Sequence, residues 1–285
     1  MEETKQQVRT FYDQVGWKQV SENVYQNARY EDLRPVSREY IHRCHLRVSQ
    51  HITKSGNYLL DAGSGPIQYP EYLEYSQGYQ YRVCADISIT ALIEARSRIG
   101  AHGLFVVCDV ARLPFKPESF DGIVSLHTLH HLSDQEQEKA YLELHRVLAP
   151  EHTGVVVNGW GSSKMMDFFD PFIRFGNRIR SIGSRLSGKR TRKATKARRS
   201  TSEDEAPKGT FSRHTDYEWF KITIAPLIPL EVWVWRSVSV RFLRALIHPW
   251  LGGRYWLRIL FLLENRYPNT FGEKGVYPLI VIRKF

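Results

Sequence analysis

The stretch "YLLDAGSGPIQYPEYL", Tyr58 to Leu73, carries a short apolar run into Asp61 and then into two closely spaced glycines, Gly63 and Gly65. A strand that merely ended could do so at any turn. An acid followed by G-x-G marks a strand feeding a tight loop whose backbone must approach something closely. A helical segment over 66–76, closed near Gly78, completes the unit.

Working outward, the same rhythm repeats. "YRVCAD" (81–86) reads as a second strand, and "SITALIEARSRIGA" as a helix with Ile89, Leu92, Ile93, Arg96 and Ile99 at helical intervals behind a Ser88 cap. "GLFVVCDV" (103–110) is a third strand and "FDGIVSLHTL" (120–129) a fourth. "DQEQEKAYLELHRVLAP" places Ala140, Tyr141, Leu144, Val147 and Leu148 on one helix face, stopped by Pro150, and "GVVVNGW" (154–160) is a fifth strand. Continuous apolar strands alternating with helices predict a parallel sheet covered on both faces. Residues 1–54 read as mostly helical, with Tyr40, Cys44, Val48 and Ile52 at spacing four. Downstream, "LEVWVWRSVSV" (230–240) and "GVYPLIVIRKF" (275–285) alternate like strands, separated by a largely apolar block.

The net charge of +10 is concentrated in one segment. Between Arg174 and Arg199 stand 11 Lys or Arg and no Asp or Glu; removing them takes the remainder to −1. The surrounding Ser, Thr, Gly and charged residues cannot bury a core, so about 184–209 reads as a mobile basic insertion. The N-terminus is polar and acidic before any apolar residue, unlike a signal peptide, and no apolar run approaches the roughly 18–20 residues that span a bilayer. Cys44, Cys84 and Cys108 are odd in number and unclustered, which suits buried thiols and a cytoplasmic location.

Ligands of an open parallel sheet bind beyond the carboxyl ends of its strands. Three successive strands here end in an acid: Asp61, Asp86 and Asp109. A ribose suits the second and an exocyclic adenine amine the third. A dinucleotide fits poorly, because Pro66 and Ile67 interrupt the glycine fingerprint and Asp61 has the wrong sign for phosphates. An acid before the glycines suits a cationic ligand such as an ammonium or sulfonium.

Together "LLDAGSG", "CADIS", "CDVARLPF", "FDGIVSLHTLHHL" and "LELHRVLAPEHTGVVV" resemble the class I S-adenosylmethionine-dependent methyltransferases of small-molecule type, over residues of about 57–158. The resemblance implies a seven-stranded Rossmann-like sheet closed by an antiparallel hairpin, with S-adenosylmethionine as cofactor. It implies that Asp61, Ala62, Gly63 and Gly65 line the methionine part, Asp86 and Ile87 the ribose, Asp109 and Val110 the adenine, and Leu126 and His127 the sulfonium side. The family's usual third glycine is Ile67 in this chain. "FYDQVGW" resembles the cofactor-covering segment of such enzymes, making Tyr12 a candidate for the methionine carboxylate and Arg34 a second one.

Methyl transfer from a sulfonium is an in-line displacement that needs a base only when the nucleophile arrives protonated. His131, His127 and His130 stand past the fourth strand as candidate bases. A zinc site built from these and His145 lacks cysteines at ligand spacing, so no metal is expected. The expected acceptor is a small organic or lipid-like molecule, supported by Trp233, Trp235, Trp250, Tyr255, Trp256 and Phe261 around the late strands. The alternatives are an RNA acceptor of tRNA type, held through the basic residues 174–199, and a non-catalytic cofactor-binding module. The same basic residues, with Arg241, Arg244, Arg254 and Arg258, would also suit peripheral contact with an anionic membrane. The expected organisation is an N-terminal helical cap (1–54), a cofactor-binding core (55–160), an insertion (161–229) and C-terminal strands completing the sheet (230–285).

Overall fold

The computed structural model describes residues 2–17, 19–21, 24–25, 31–186 and 210–285. The chain opens with α1 (Glu2–Phe11), a π-helical turn (Tyr12–Gly16), a small antiparallel pair β1 (Gln19–Ser21) and β2 (Val24–Tyr25), and α2 (Arg38–Leu46). Then come β3 (Gly56–Ala62), α3 (Glu71–Glu74), β4 (Tyr79–Asp86), α4 (Ile89–Ile99), β5 (Gly103–Val107), β6 (Phe120–Leu126), α5 (Asp134–Val147) and β7 (Leu148–Val157). The rest comprises α6 (Lys164–Leu186), α7 (Tyr217–Thr223), β8 (Leu230–Arg236), α8 (Val240–Leu246), α9 (Gly253–Arg266), α10 (Pro268–Lys274) and β9 (Tyr277–Arg283).

β3 to β9 form one seven-stranded sheet in the order β5-β4-β3-β6-β7-β9-β8. The first five are parallel, and β9 runs antiparallel between β7 and β8. Two antiparallel steps return β8 to the direction of β7. The carboxyl ends of β3, β4, β6, β7 and β8 and the start of β9 therefore share one rim of the sheet. Successive β3 residues show why the sheet needs two covers. Leu59 packs with Tyr40, Cys44 and Leu92 on one face, and Leu60 with Ala140, Leu144 and Phe220 on the other.

Most local signals act as read. The Ser88 hydroxyl accepts the Ala91 N–H and starts α4, and Gly100 ends it at φ +53°. Two readings change. The segment 66–76 is helical only over Glu71–Glu74, because Gly65 and Ile67 both take left-handed backbone (φ +54° and +55°) ahead of Pro70. α5 ends at Val147 and the chain passes directly into β7, so Pro150 lies inside a strand and does not cap the helix. Of the expected insertion at about 184–209, residues 184–186 belong to α6 and the others lie outside the described residues. The late apolar block divides: Phe242, Leu243 and Leu257 join the core, whereas Trp250, Tyr255 and Trp256 are exposed.

Candidate cofactor and acceptor site

At that shared rim lies a cavity of ≈ 510 Å³, inside the range of roughly 300–1,000 Å³ typical of small-molecule sites. Asp61, Gly63, Gly65, Asp86, Ile87, Asp109, Val110, Leu126, His127 and Tyr12 all line it, as do His130 and His131. Two candidates fall outside. Ala62 is fully buried in β3, its carbonyl accepting the Ser125 hydroxyl at 2.8 Å. Arg34 pairs with buried Asp32 at 2.7 Å and donates to the Leu243 carbonyl, a tie between the N-terminal region and α8.

The glycine loop is shaped by its neighbours. Gly63 (φ +76°) donates to the Ala85 carbonyl at 2.6 Å, and a Cβ there would collide with Thr128. Gly65 donates to Asp86 Oδ2 at 2.9 Å, while Ser88 N–H meets Asp86 Oδ1 at 2.8 Å. One carboxylate thus ties the loop to the start of α4 and keeps acceptor capacity on both oxygens for vicinal hydroxyls. Burial, with Asp61 and Asp13 adding negative charge nearby, pushes the Asp86 carboxyl up to about 6. Asp61 is not a bare acid at the wall: Arg82, itself fully buried, donates Nε and Nη2 to Asp61 Oδ2 at 3.0 and 2.5 Å.

The N-terminal segment closes the cavity. Lys5 bridges Asp109 and Glu136, 2.5 Å from each, and although burial opposes its charge the two carboxylates hold the ammonium above its ordinary range. Ser88 donates to Asp13 at 2.5 Å, and Trp17 stacks on Tyr12 with ring centroids 5.0 Å apart. Tyr12 begins the π-helical turn, a distortion that often marks functional positions. Its hydroxyl lies 2.7 Å from His131 Nε2, and His131 Nδ1 lies 2.7 Å from the Phe211 carbonyl oxygen. A carbonyl can only accept, so Nδ1 carries the proton and Nε2 accepts from Tyr12.

Burial holds His131 down at about 4 and His127 at about 3, with the Arg236 charge also acting on His127. It sets His130 well below its usual range despite a 3.0 Å contact from Nδ1 to Asn158 Oδ1. The unfolded chain therefore takes up these protons first, and stability falls as pH drops from the ordinary histidine value near 6.5 toward about 4. Asp86 opposes this between 3.8 and about 6, since there the folded form takes the proton first. Each histidine outweighs its share at about 1.4 kcal/mol per pH unit, so urea denaturation should show a net loss on the order of 2–4 kcal/mol between pH 7 and pH 5, after allowing for solvent in the cavity. His131→Ala should remove about a third of the histidine contribution to that dependence.

Residues 60–156 match the methyltransferase-domain family. That match runs from the glycine loop through the last parallel strand, over the three acids that meet in the cavity. The chain carries a class I S-adenosylmethionine-dependent methyltransferase domain. Curated relatives of this domain include a mouse protein named probable tRNA methyltransferase 9B, 30% identical over 124 residues, which are 42% of this chain and 26% of that protein. An Arabidopsis thaliana tRNA (carboxymethyluridine(34)-5-O)-methyltransferase is 31% identical over 133 residues, 40% of this chain and 31% of the relative. The chain thus spans less than a third of the length of either. Among solved structures, the (4+2)-cyclase SpnF superposes with a TM-score of 0.53 at 16% identity, over 99% of this chain and 97% of that one. Phosphoethanolamine N-methyltransferase 1 of Haemonchus contortus gives 0.53 at 9% identity, over 100% of this chain and 50% of that one. Both likenesses concern the fold, which hosts more than one chemistry.

Several wall residues of the cavity, outside the matched methyltransferase domain, escaped the sequence reading. Lys5 carried no local signal, and Trp17 stood in the covering segment "FYDQVGW" without being singled out. Thr210, Ser212 and His214 return from beyond the basic segment to line the cavity, with His214 stacked on His130 at 4.8 Å. Arg236 closes the strand-like "LEVWVWR", and a buried cation at a strand end on the ligand rim was the signal available. At Ile67, where the family's third glycine would stand, the backbone keeps the left-handed conformation that favours glycine, with the β-branched side chain fully buried. Among the described residues no helix is long and apolar enough to cross a membrane, and no group of three or more His, Cys, Asp or Glu is arranged to hold a metal ion.

Proposed function

We propose that this chain binds S-adenosylmethionine in the cavity and transfers its methyl group to a small organic acceptor. The observation that carries the reading is the convergence of the glycine loop and three strand-tip acids on a single cavity beneath the N-terminal segment. In this reading residues 1–54 act as the cap, 55–160 as the cofactor core, 161–229 as the insertion and 230–285 as the sheet-completing strands. When bound, the cofactor supplies the activated methyl carbon.

The chain's own residues bind, orient and exclude water. Asp86 accepts the ribose hydroxyls, and Val110 packs beside the adenine. Asp109 is shared with Lys5, so the adenine amine competes with or joins that ion pair. Asp61 keeps its charge in balance through Arg82 and sets the loop beneath the methionine part. Leu126 and His127 flank the sulfonium side, His127 taking left-handed backbone at φ +55° with its N–H on the Val157 carbonyl. Tyr12 and His131 form a neutral hydrogen-bonded pair that shuts the cap over the reacting atoms and can take a proton from the acceptor through the Tyr12 oxygen and His131 Nε2. Tyr12→Phe or His131→Ala should lower turnover about 10–100-fold with a smaller change in cofactor affinity, and the double variant should be no worse than the worse single one.

The experiment has two steps. Calorimetry with S-adenosylhomocysteine tests the cavity, and absence of heat removes the reading. Radiolabelled S-adenosylmethionine with fractionated cell extract then tests the acceptor, with label expected in the organic-soluble, small-molecule fraction. Label in RNA would favour the second reading, supported by the tRNA-methyltransferase names of the relatives and by the 11 basic residues between 174 and 199. Exposed Phe168, Phe172 and Phe175 on α6, leading into that basic segment, support peripheral contact with an anionic membrane as an accessory feature. Vesicle co-sedimentation that vanishes at raised salt and in a Phe172→Ser/Phe175→Ser variant would bear it out; equal sedimentation of the variant would remove it.

A further inference from the structure

Among the described residues three arginines are almost wholly buried, and two of them spend their donors on the protein. Arg82 gives Nε and Nη2 to Asp61 and Nη1 to the Tyr72 carbonyl. Arg47 gives Nη1 to the Trp235 carbonyl and Nη2 to Asn265, and its charge pairs with Glu264 at 2.9 Å. Arg236 differs. It is 1% exposed, yet Glu31 takes both of its contacts on one nitrogen, Nη1, at 2.7 and 3.0 Å, and Nε has no hydrogen-bond partner. Burying a guanidinium N–H without an acceptor is costly, so a chain that satisfies its other buried arginines leaves this one short for a reason.

The place supplies that reason. Arg236 ends β8 on the ligand rim, pairs in register with Tyr277 at the start of β9, and stands in the cavity wall. Its guanidinium carbon lies 4.6 Å from the Tyr277 ring centroid and 5.1 Å from that of Trp235, which fixes its plane. Tyr69, on the same wall, accepts from Gln68 at 3.3 Å and keeps its own proton for donation; burial holds that phenol well above its usual range. Glu31 is anchored from behind through its carbonyl, which accepts from Arg244. The result is a fixed cation with an unpaired N–H, the Tyr277 ring against it and Tyr69 in the same cavity lining, at the β8 end of the sheet, while Asp86 and Asp109 follow β4 and β5 at the other.

We infer that Arg236, with Tyr69 and Tyr277, forms an acceptor subsite for an oxyanion, so that the molecule methylated carries a carboxylate or phosphate at one end and its nucleophile at the other. This rests on the methyl-transfer reading for the word acceptor, while the oxyanion site itself stands on geometry. Bidentate donation from an Arg edge suits either acid, and the planar fork orients the ligand as a lysine would not.

The test uses the full chain saturated with S-adenosylhomocysteine and three probes: benzoate, phenyl phosphate and neutral benzamide. At least one acid should bind about tenfold or more tightly than benzamide, the two acid arms telling carboxylate from phosphate. Tyr277→Phe and Arg236→Lys should each weaken that acid by about tenfold while leaving S-adenosylhomocysteine affinity within about twofold. Tyr277→Phe removes only a hydroxyl at a partly exposed position, so it keeps the test open if the Arg236 variant fails to fold. Glu31→Gln, which lifts a like charge from beside the anion, should tighten the acid. Equal binding of benzamide, or acid binding indifferent to both Arg236→Lys and Tyr277→Phe, would overturn the subsite. A parallel loss of S-adenosylhomocysteine affinity would overturn it too, by assigning Arg236 to the cofactor's own carboxylate. If wild-type chain binds the acid but no S-adenosylhomocysteine, the oxyanion site survives and the methyl-transfer reading falls.

Discussion

Asp86→Ala is expected to weaken S-adenosylhomocysteine binding by about 100-fold or more, the loss of two hydrogen bonds to a charged acceptor at about 1.5–3 kcal/mol each. The side chain has two jobs that the substitution removes together. It holds the glycine loop through Gly65 N–H and the α4 start through Ser88 N–H, and its remaining lone pairs are the acceptors that the proposed reading gives to the ribose. Asp86→Asn should be intermediate, because one amide oxygen can serve one backbone donor while the amide nitrogen is set against the other. The ionisation adds a second signature. Burial holds this carboxyl up at about 6, so cofactor affinity in the wild-type chain should rise as pH increases through that value, and the rise should disappear in Asp86→Asn. Calorimetry at several pH values measures both. An affinity within threefold of wild type in Asp86→Ala would show that the strand-tip acid is not a cofactor ligand.

The acids were legible because each is a local event, an apolar strand breaking at a carboxylate, and parallel strands put such breaks on one rim. The parallel, two-sided sheet followed from the same rhythm, whereas the antiparallel return of β9 and β8 was implied only by the family resemblance. Pairings were not legible. Lys5 with Asp109, Tyr12 with His131 and Arg236 with Glu31 join residues 104, 119 and 205 positions apart, and nothing in either partner's neighbourhood names the other. The same limit explains Asp61. An acid ahead of two glycines reads as a bare ligand group, yet its partner Arg82 stands inside the next strand, where an arginine in an apolar run is the one visible sign of a buried pair. Ile67 is a different lesson: a missing glycine in the motif does not mean a missing glycine conformation, since the surrounding loop imposes φ +55° on isoleucine. Position, and not residue type, carried the fold there.

Glu264→Ala should destabilise the chain by roughly 3–5 kcal/mol, the cost of leaving a buried charge without its counterion. Glu264 is fully buried on α9, far in sequence from the elements it joins. Its Oε1 accepts from Tyr40 at 2.7 Å, from the Ser237 N–H at 3.0 Å and from the Ser237 hydroxyl at 2.5 Å, and its Oε2 lies 2.9 Å from Arg47 Nη1. Arg47 in turn lies over the Phe261 ring at 4.2 Å. One carboxylate thus binds α2, the end of β8 and α9 into a single unit behind Arg236. Removing it strands Arg47 at 3% exposure and frees three donors inside the core. Replacing both partners by apolar residues, Glu264→Leu with Arg47→Met, leaves no uncompensated charge and should recover the part of the loss that the stranded Arg47 causes, while the Tyr40 and Ser237 donors stay unpaired. Urea denaturation of the two variants separates the cases. A loss below about 1 kcal/mol in Glu264→Ala would mean that water reaches Arg47, and that the rigid platform behind the Arg236 edge is softer than its burial implies.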